Sequence, residues 1–78
     1  MFTTYIIYSE SLGIYYTGQT EDLARRLEEH NRGKTQLSKK GMPWRLVFSK
    51  SLETRTEAMA LERKIKKRGA KRFLEDLG

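Results

Sequence analysis

The stretch Thr3-Thr4-Tyr5-Ile6-Ile7-Tyr8 limits the possible folds more than any other part of the chain. Its β-branched and aromatic residues favour an extended, pleated backbone. The run is apolar almost without interruption, as in a central strand buried on both faces. A chain of 78 residues is close to the size at which one core is just sufficient, so the remaining elements must be layers around this strand. Ser9-Glu10-Ser11-Leu12-Gly13 supplies turn residues, and Ile14 to Thr17 returns as the second strand of an antiparallel hairpin. Alternation places Ile14 and Tyr16 on one face and Tyr15 on the other. Tyr5 and Tyr16 share a side if the register allows it, and the sequence leaves the register open. Taken singly, each ring reads as ordinary sheet packing.

Gly18 ends the second strand, and Thr20 is the expected N-cap of a helix over Glu21 to Asn31. Glu21 and Asp22 would then occupy the first turn, where the helix dipole favours acids, and Asn31 and Gly33 are suitable stop residues. Leu23 and Leu27 form the apolar stripe of this helix. Arg26 and His30, four residues apart, lie together beside the stripe, whereas Arg25, Glu28 and Glu29 are expected to point away. Lys34 to Pro43 shows no periodicity and reads as a basic loop carrying Thr35 and Ser38. Trp44 to Ser49 is a third strand, with Leu46 and Phe48 on one face and Val47 on the other. Trp44, beside Pro43 at the strand start, reads as a core anchor.

Thr54-Arg55-Thr56-Glu57 is a capping box opening another helix, in which Ala58, Leu61 and Ile65 form the apolar arc. Glu62 interrupts the edge of that arc and calls for a partner, either Lys66 four residues on or a metal ion. After Gly69, a final helix over Ala70 to Leu77 should pack Phe73, Leu74 and Leu77 inward. The expected fold is α/β (α+β), one domain over residues 1–78, with a small, mainly antiparallel three-stranded sheet flanked by helices.

Hydrophobic residues make up 37% and charged residues 33% of the chain, the balance of a soluble folded protein rather than a disordered one. Neither disulfides nor a thiolate zinc site is available, because there is no cysteine. No apolar run is long enough for a membrane span, and no signal peptide is evident, so a cytoplasmic location without a membrane partner is expected. The net charge of +6 favours a polyanionic partner. Arg63, Lys64, Lys66, Lys67, Arg68, Lys71 and Arg72 form a run with no intervening acid, and Arg32, Lys34, Lys39, Lys40 and Arg45 form a second group.

Tyr16-Thr17-Gly18, with Arg26 ten positions beyond Tyr16 and His30 four further on, resembles the second half of the signature of the GIY-YIG nucleases. The first half is represented by Tyr5, preceded by Thr3-Thr4 where the family carries Gly-Ile. Glu57-Ala58-Met59-Ala60-Leu61-Glu62 reproduces the Glu-Ala-x-x-x-Glu context of the family's metal-binding glutamate. The resemblance spans nearly the whole chain and extends to the N-terminal catalytic domain of the excision-repair incision nuclease. It implies the same fold and hydrolysis of phosphodiester bonds, with DNA as the favoured substrate, RNA as a further one, and repair or processing as the setting. It further implies that Glu62 holds one Mg²⁺ or Mn²⁺, that Arg26 bridges phosphate oxygens, and that a base is drawn from Tyr5, Tyr16 and His30. Gln19 stands where repair-type relatives often carry Lys. Gln19, Lys34, Lys39, Lys40, Lys66, Lys67 and Lys71 would contact the nucleic acid. Two competing readings are a module of the same fold that binds nucleic acid without cleaving it, and a domain that docks on an acidic protein through the Arg63 to Arg72 run.

Overall fold

The computed structural model describes residues Met1–Gly78. Strands β1 (Phe2–Ser9) and β2 (Ile14–Thr20) form the hairpin, followed by helices α1 (Leu23–Asn31) and α2 (Gln36–Gly41), strand β3 (Trp44–Leu52), and helices α3 (Arg55–Arg68) and α4 (Ala70–Leu77). The sheet order is β2-β1-β3, antiparallel throughout. The apolar run therefore lies in the centre, as its composition demands. Tyr5 and Ile7 pack on one face with Trp44, against Leu23 and Leu27 of α1. Ile6 packs on the other face with Ile65 and Phe73, against Leu61 and Leu74. The result is two thin cores separated by one sheet, a layered α+β fold.

The local geometry departs from the sequence expectation at several points. Strand β2 continues through Gly18 to Thr20 because it stays paired with β1 as far as Thr3. Helix α1 therefore begins at Leu23, and the cap is Asp22, whose side chain accepts a hydrogen bond from the Arg25 amide. Thr20 instead accepts from the Asp22 amide, and no acid occupies the first turn. The expected loop from Lys34 to Pro43 contains α2. Thr35 caps this helix, and Ser38 supplies the reciprocal side-chain bond in place of the Glu or Gln of the familiar pattern. In β3 a register shift opposite Ile6/Ile7 breaks simple alternation. Val47 and Phe48 both pack on the Ile6 side, while Leu46 is left exposed. Leu77 also faces solvent rather than the core.

Four side-chain hydrogen bonds fix the helices that matter for the site. The Thr4 hydroxyl donates to the Ala58 carbonyl at 2.8 Å, pinning α3 to the central strand. At the end of α1, Asn31 Oδ1 accepts from the Trp44 amide at 2.6 Å and Asn31 Nδ2 donates to the Trp44 carbonyl at 3.2 Å. One amide side chain thus supplies the donor and the acceptor that a neighbouring strand would have provided. Trp44 is buried, and its indole N–H donates to the Ser38 carbonyl at 2.9 Å, tying α2 to the same corner. Gly41 leaves no room for a side chain against the Trp44 ring.

Candidate active site

The hairpin register pairs Tyr5 with Gly18 and Ile7 with Tyr16. Tyr5 and Tyr16 therefore lie on the same face of the sheet, their ring centroids 6.4 Å apart. Helix α1 crosses that face and brings His30 between them: its ring lies 4.9 Å from that of Tyr16 and 6.4 Å from that of Tyr5. Tyr5 Oη and His30 Nε2 are 3.4 Å apart and share a hydrogen bond. Trp44 closes the back of the cluster, 5.9 Å from the imidazole centroid. Gly18 is the floor. A β-carbon there would sit 2.7 Å from Tyr5 Oη and 3.2 Å from a Tyr16 ring carbon, so the close approach of both phenols requires glycine.

Burial raises the Tyr5 phenol far above its usual pKa, and neighbouring Tyr16 adds to the rise, with Arg26 only partly offsetting it. Tyr5 is thereby held protonated. His30 is shifted the other way, lowered first by burial and then by the Arg26 charge, with Glu29 opposing. The imidazole is thus neutral near pH 7 and free to accept a proton.

Arg26 lies at the rim and is half exposed, with Nε 3.7 Å from Glu29. Contrary to the helical-phase expectation, Glu29 does not point away from this rim. It also meets Arg25 at 3.7 Å and Lys34 at 3.2 Å, and the Lys34 hydrogen bond is the main reason its carboxyl is held below the usual range. Arg25 is far more exposed than Arg26. A polar cleft of about 440 Å³ runs outward from Arg26, lined by Gln19, Arg25 and, from the start of α3, Arg55. A second hollow of about 240 Å³ joins Arg26 and His30 to Lys34, Thr35 and Ser38. The sequence offered Thr35 and Ser38 only as residues of a basic loop able to close over phosphate, and Arg55 not at all as a site residue. Their approach depends on where α2 and α3 dock, which no local pattern encodes.

Glu62 is partly buried on α3, and its charge raises the Tyr5 phenol. Its carboxylate accepts from Lys66 Nζ at 2.7 Å, the nearer of the two partners anticipated from sequence. No three His, Cys, Asp or Glu side chains converge as a ready-made metal cage. A single carboxylate, close enough for its charge to act on Tyr5, fits an ion that keeps most of its waters and takes its other ligands from phosphate, as Mg²⁺ does. Lys39 and Lys40 lie exposed in the last turn of α2. Lys67 is exposed on α3 and lines none of these clefts, while Lys66 and Lys71 line a separate groove beside β2. Within the basic run Arg68 is taken up by Asp76 at 2.8 Å. The free positive surface is therefore smaller than the sequence count.

The model of the GIY-YIG catalytic domain matches residues 1–74. The chain belongs to the GIY-YIG family. It is thus a member of a nuclease family whose substrates are nucleic acids and whose enzymes generally depend on a divalent metal. This GIY-YIG domain is 40% identical over 55 residues to a UPF0213 protein of Staphylococcus aureus strain Mu3, covering 69% of the chain and 67% of that protein. It is 35% identical over 57 residues to a UPF0213 protein of Streptococcus pneumoniae serotype 4, covering 72% of the chain. The aligned part spans 58% of the pneumococcal relative. No solved structure matches the chain. No helix of this GIY-YIG domain is long and apolar enough to cross a membrane.

Proposed function

We propose that the protein is a divalent-metal-dependent endonuclease that hydrolyses phosphodiester bonds in DNA, with structured RNA as a secondary substrate. The observation that carries this reading is the convergence of Tyr5, Tyr16, His30 and Arg26 on one face of the sheet, with Tyr5 Oη 3.4 Å from a neutral His30. Phosphodiester hydrolysis needs a proton acceptor for the attacking water and positive charge where negative charge grows at phosphorus. Tyr5 cannot serve as a standing phenolate, because burial keeps it protonated. It passes its own proton to His30 Nε2 as its Oη takes one from the water, so the buried phenol never carries a charge. Tyr16 flanks the imidazole from the more exposed side. Arg26, whose planar fork matches two phosphate oxygens, holds the scissile phosphate at the rim. Glu62 would hold the Mg²⁺ or Mn²⁺, which neutralises phosphate charge when bound.

The Lys66–Glu62 ion pair supports a second reading, in which Glu62 is merely paired and the domain binds nucleic acid without cutting it. A cleavage screen over duplex, nicked and single-stranded DNA and structured RNA, with Mg²⁺ and with Mn²⁺, separates the two. The nuclease reading expects metal-dependent nicking that Glu62→Gln abolishes while the fold, read by circular dichroism, is unchanged. Full activity in Glu62→Gln would remove the glutamate from the chemistry, and tight binding with no nicking on any substrate would leave the binder.

A further inference from the structure

A second groove runs along the free edge of the sheet and meets the candidate active site at Tyr16. It lies between β2 and the junction of α3 with α4, has a volume of about 490 Å³, and is lined by Tyr15, Tyr16, Thr17, Lys66, Gly69, Ala70 and Lys71. That volume is within the range of small-ligand sites, roughly 300–1,000 Å³. The lining has two unlike parts. Tyr15 and Ala70 are apolar, and a β-carbon on Gly69 would meet no atom within 4 Å, so the junction side is open. Lys71 and Lys66, the latter paired with Glu62 at 2.7 Å, bring positive charge to the same groove.

Tyr15 is also the outermost member of a ladder across the sheet. Arg45 on β3 sits 5.7 Å over the Tyr8 ring, and Tyr8 on β1 lies 4.7 Å from the Tyr15 ring. These residues are direct cross-strand partners. Since β2 is an edge strand, nothing in the chain continues the ladder beyond Tyr15, a residue about a third exposed. A cation, two aromatic rings and an open end beside two lysines form a stacking platform with phosphate-binding charge next to it. Tyr15 and Tyr16 are consecutive residues facing opposite sides of one strand, so the platform and the catalytic face are separated only by the thickness of that edge.

We propose that this groove binds an unpaired nucleotide flanking the scissile bond, its base stacked on Tyr15 and its phosphates on Lys66 and Lys71. The substrate class is therefore a strand that is single-stranded beside the cut, because a base inside a duplex cannot offer its face to a side chain. This inference rests on the nuclease reading for its orientation and deepens it by naming the form of the substrate.

Fluorescence anisotropy in metal-free buffer tests it, with a labelled oligothymidylate about 10 nucleotides long and a blunt duplex of equal length. Tyr15→Leu keeps an apolar side chain on Tyr8 but removes the stacking face, and Tyr15→Phe restores it. The expected result is an affinity for the single strand about fivefold weaker in Tyr15→Leu, within about twofold of wild type in Tyr15→Phe, and nearly unchanged for the duplex in both. A 2-aminopurine placed in the oligothymidylate should be quenched by wild type and Tyr15→Phe but not by Tyr15→Leu. Equal binding of the single strand by wild type and Tyr15→Leu, with quenching intact, overturns the groove assignment and leaves the nuclease reading standing. Failure of the wild-type protein to bind either oligonucleotide overturns both.

Discussion

Replacing Gly18 by alanine adds one methyl group at the point where the sheet meets both phenols. The backbone accepts the change, because Gly18 is not among the glycines with positive φ. In the unfolded chain the substitution favours folding by about 0.4–1 kcal/mol. Against this stands the contact: the new β-carbon would lie 2.7 Å from Tyr5 Oη, 3.0 Å from Tyr5 Cζ and 3.2 Å from Tyr16 Cε1. The Tyr5 ring cannot swing aside, being 2% exposed and packed with Ile7 and Trp44 beneath Leu23 and Leu27. Overpacking of this kind costs about 1–3 kcal/mol, so the net loss should be about 1–2 kcal/mol, or about 5–15 °C in melting temperature for a domain of this size. The effect on cleavage should be larger than the loss of stability suggests. Relief requires Tyr5 Oη to move by several tenths of an ångström, and misplacement approaching 1 Å costs about 10²-fold in rate. Thermal unfolding gives the first quantity and single-turnover nicking, at a temperature where the variant is fully folded, gives the second. In a Tyr5→Phe background the hydroxyl is gone, so Gly18→Ala should cost about 1 kcal/mol less than in wild type, a coupling that a double-mutant cycle measures. If Gly18→Ala cleaves at the wild-type rate, or if the cycle shows no coupling, the Tyr5 hydroxyl is not where the chemistry needs it.

Other perturbations separate the remaining parts of the site. Arg26→Ala should lower cleavage by about 10²-fold, the scale of one lost transition-state donor, and Arg26→Lys should rescue it poorly for want of the planar fork. Arg25→Ala, at a far more exposed position, should change the single-turnover rate by no more than about threefold and stability by about 0.5 kcal/mol; equal losses in the two alanine variants would refute the phase assigned to α1. Because His30 has a folded pKa below its unfolded value, near 6.5, its contribution to stability is intact above that pH and is lost as pH falls through it toward the folded value. Cleavage should accordingly hold a plateau through neutral pH and decline only on the acid side, a limb that disappears from the residual activity of His30→Gln. Reversing Lys66, Lys67 and Lys71 to Glu should flatten the dependence of log affinity on log salt, from a slope of about −3 to −5 for roughly four to six phosphates; an unchanged slope would remove these lysines from the interface.

The sheet and the pairing of Arg26 with His30 were legible in the sequence because both depend on local periodicity. Two-sided burial marks β1, and a four-residue spacing brings Arg26 beside His30. What the sequence could not disclose depends on docking. Glu29 looked solvent-facing from helical phase, yet Lys34 beyond the end of the helix and Arg26 beside it draw it to the rim. The six-residue α2 was hidden because Ser38 performs the capping usually signalled by Glu or Gln. Asn31 read as a helix stop, whereas its amide also holds the start of β3. Glu62 remained divided between a lysine and a metal ion on sequence grounds, and the structure shows the lysine contact, with Lys66 Nζ at 2.7 Å.

Helix α1 carries Arg26 and His30 but contains no fully buried residue. Partly buried Leu23 and Leu27, the Asn31 amide and the His30 ring hold it against a sheet whose central strand is closed on both faces. Segments with so little buried apolar contact open at a lower free energy than the core. Amide protons of α1 should therefore exchange with solvent well before those of β1, by a hinge-like release that leaves the sheet intact. Heating would then separate an intact site from a folded sheet: on the nuclease reading, cleavage should fade while the sheet's circular dichroism persists, and a phosphate bound at Arg26 should raise the temperature at which it fades.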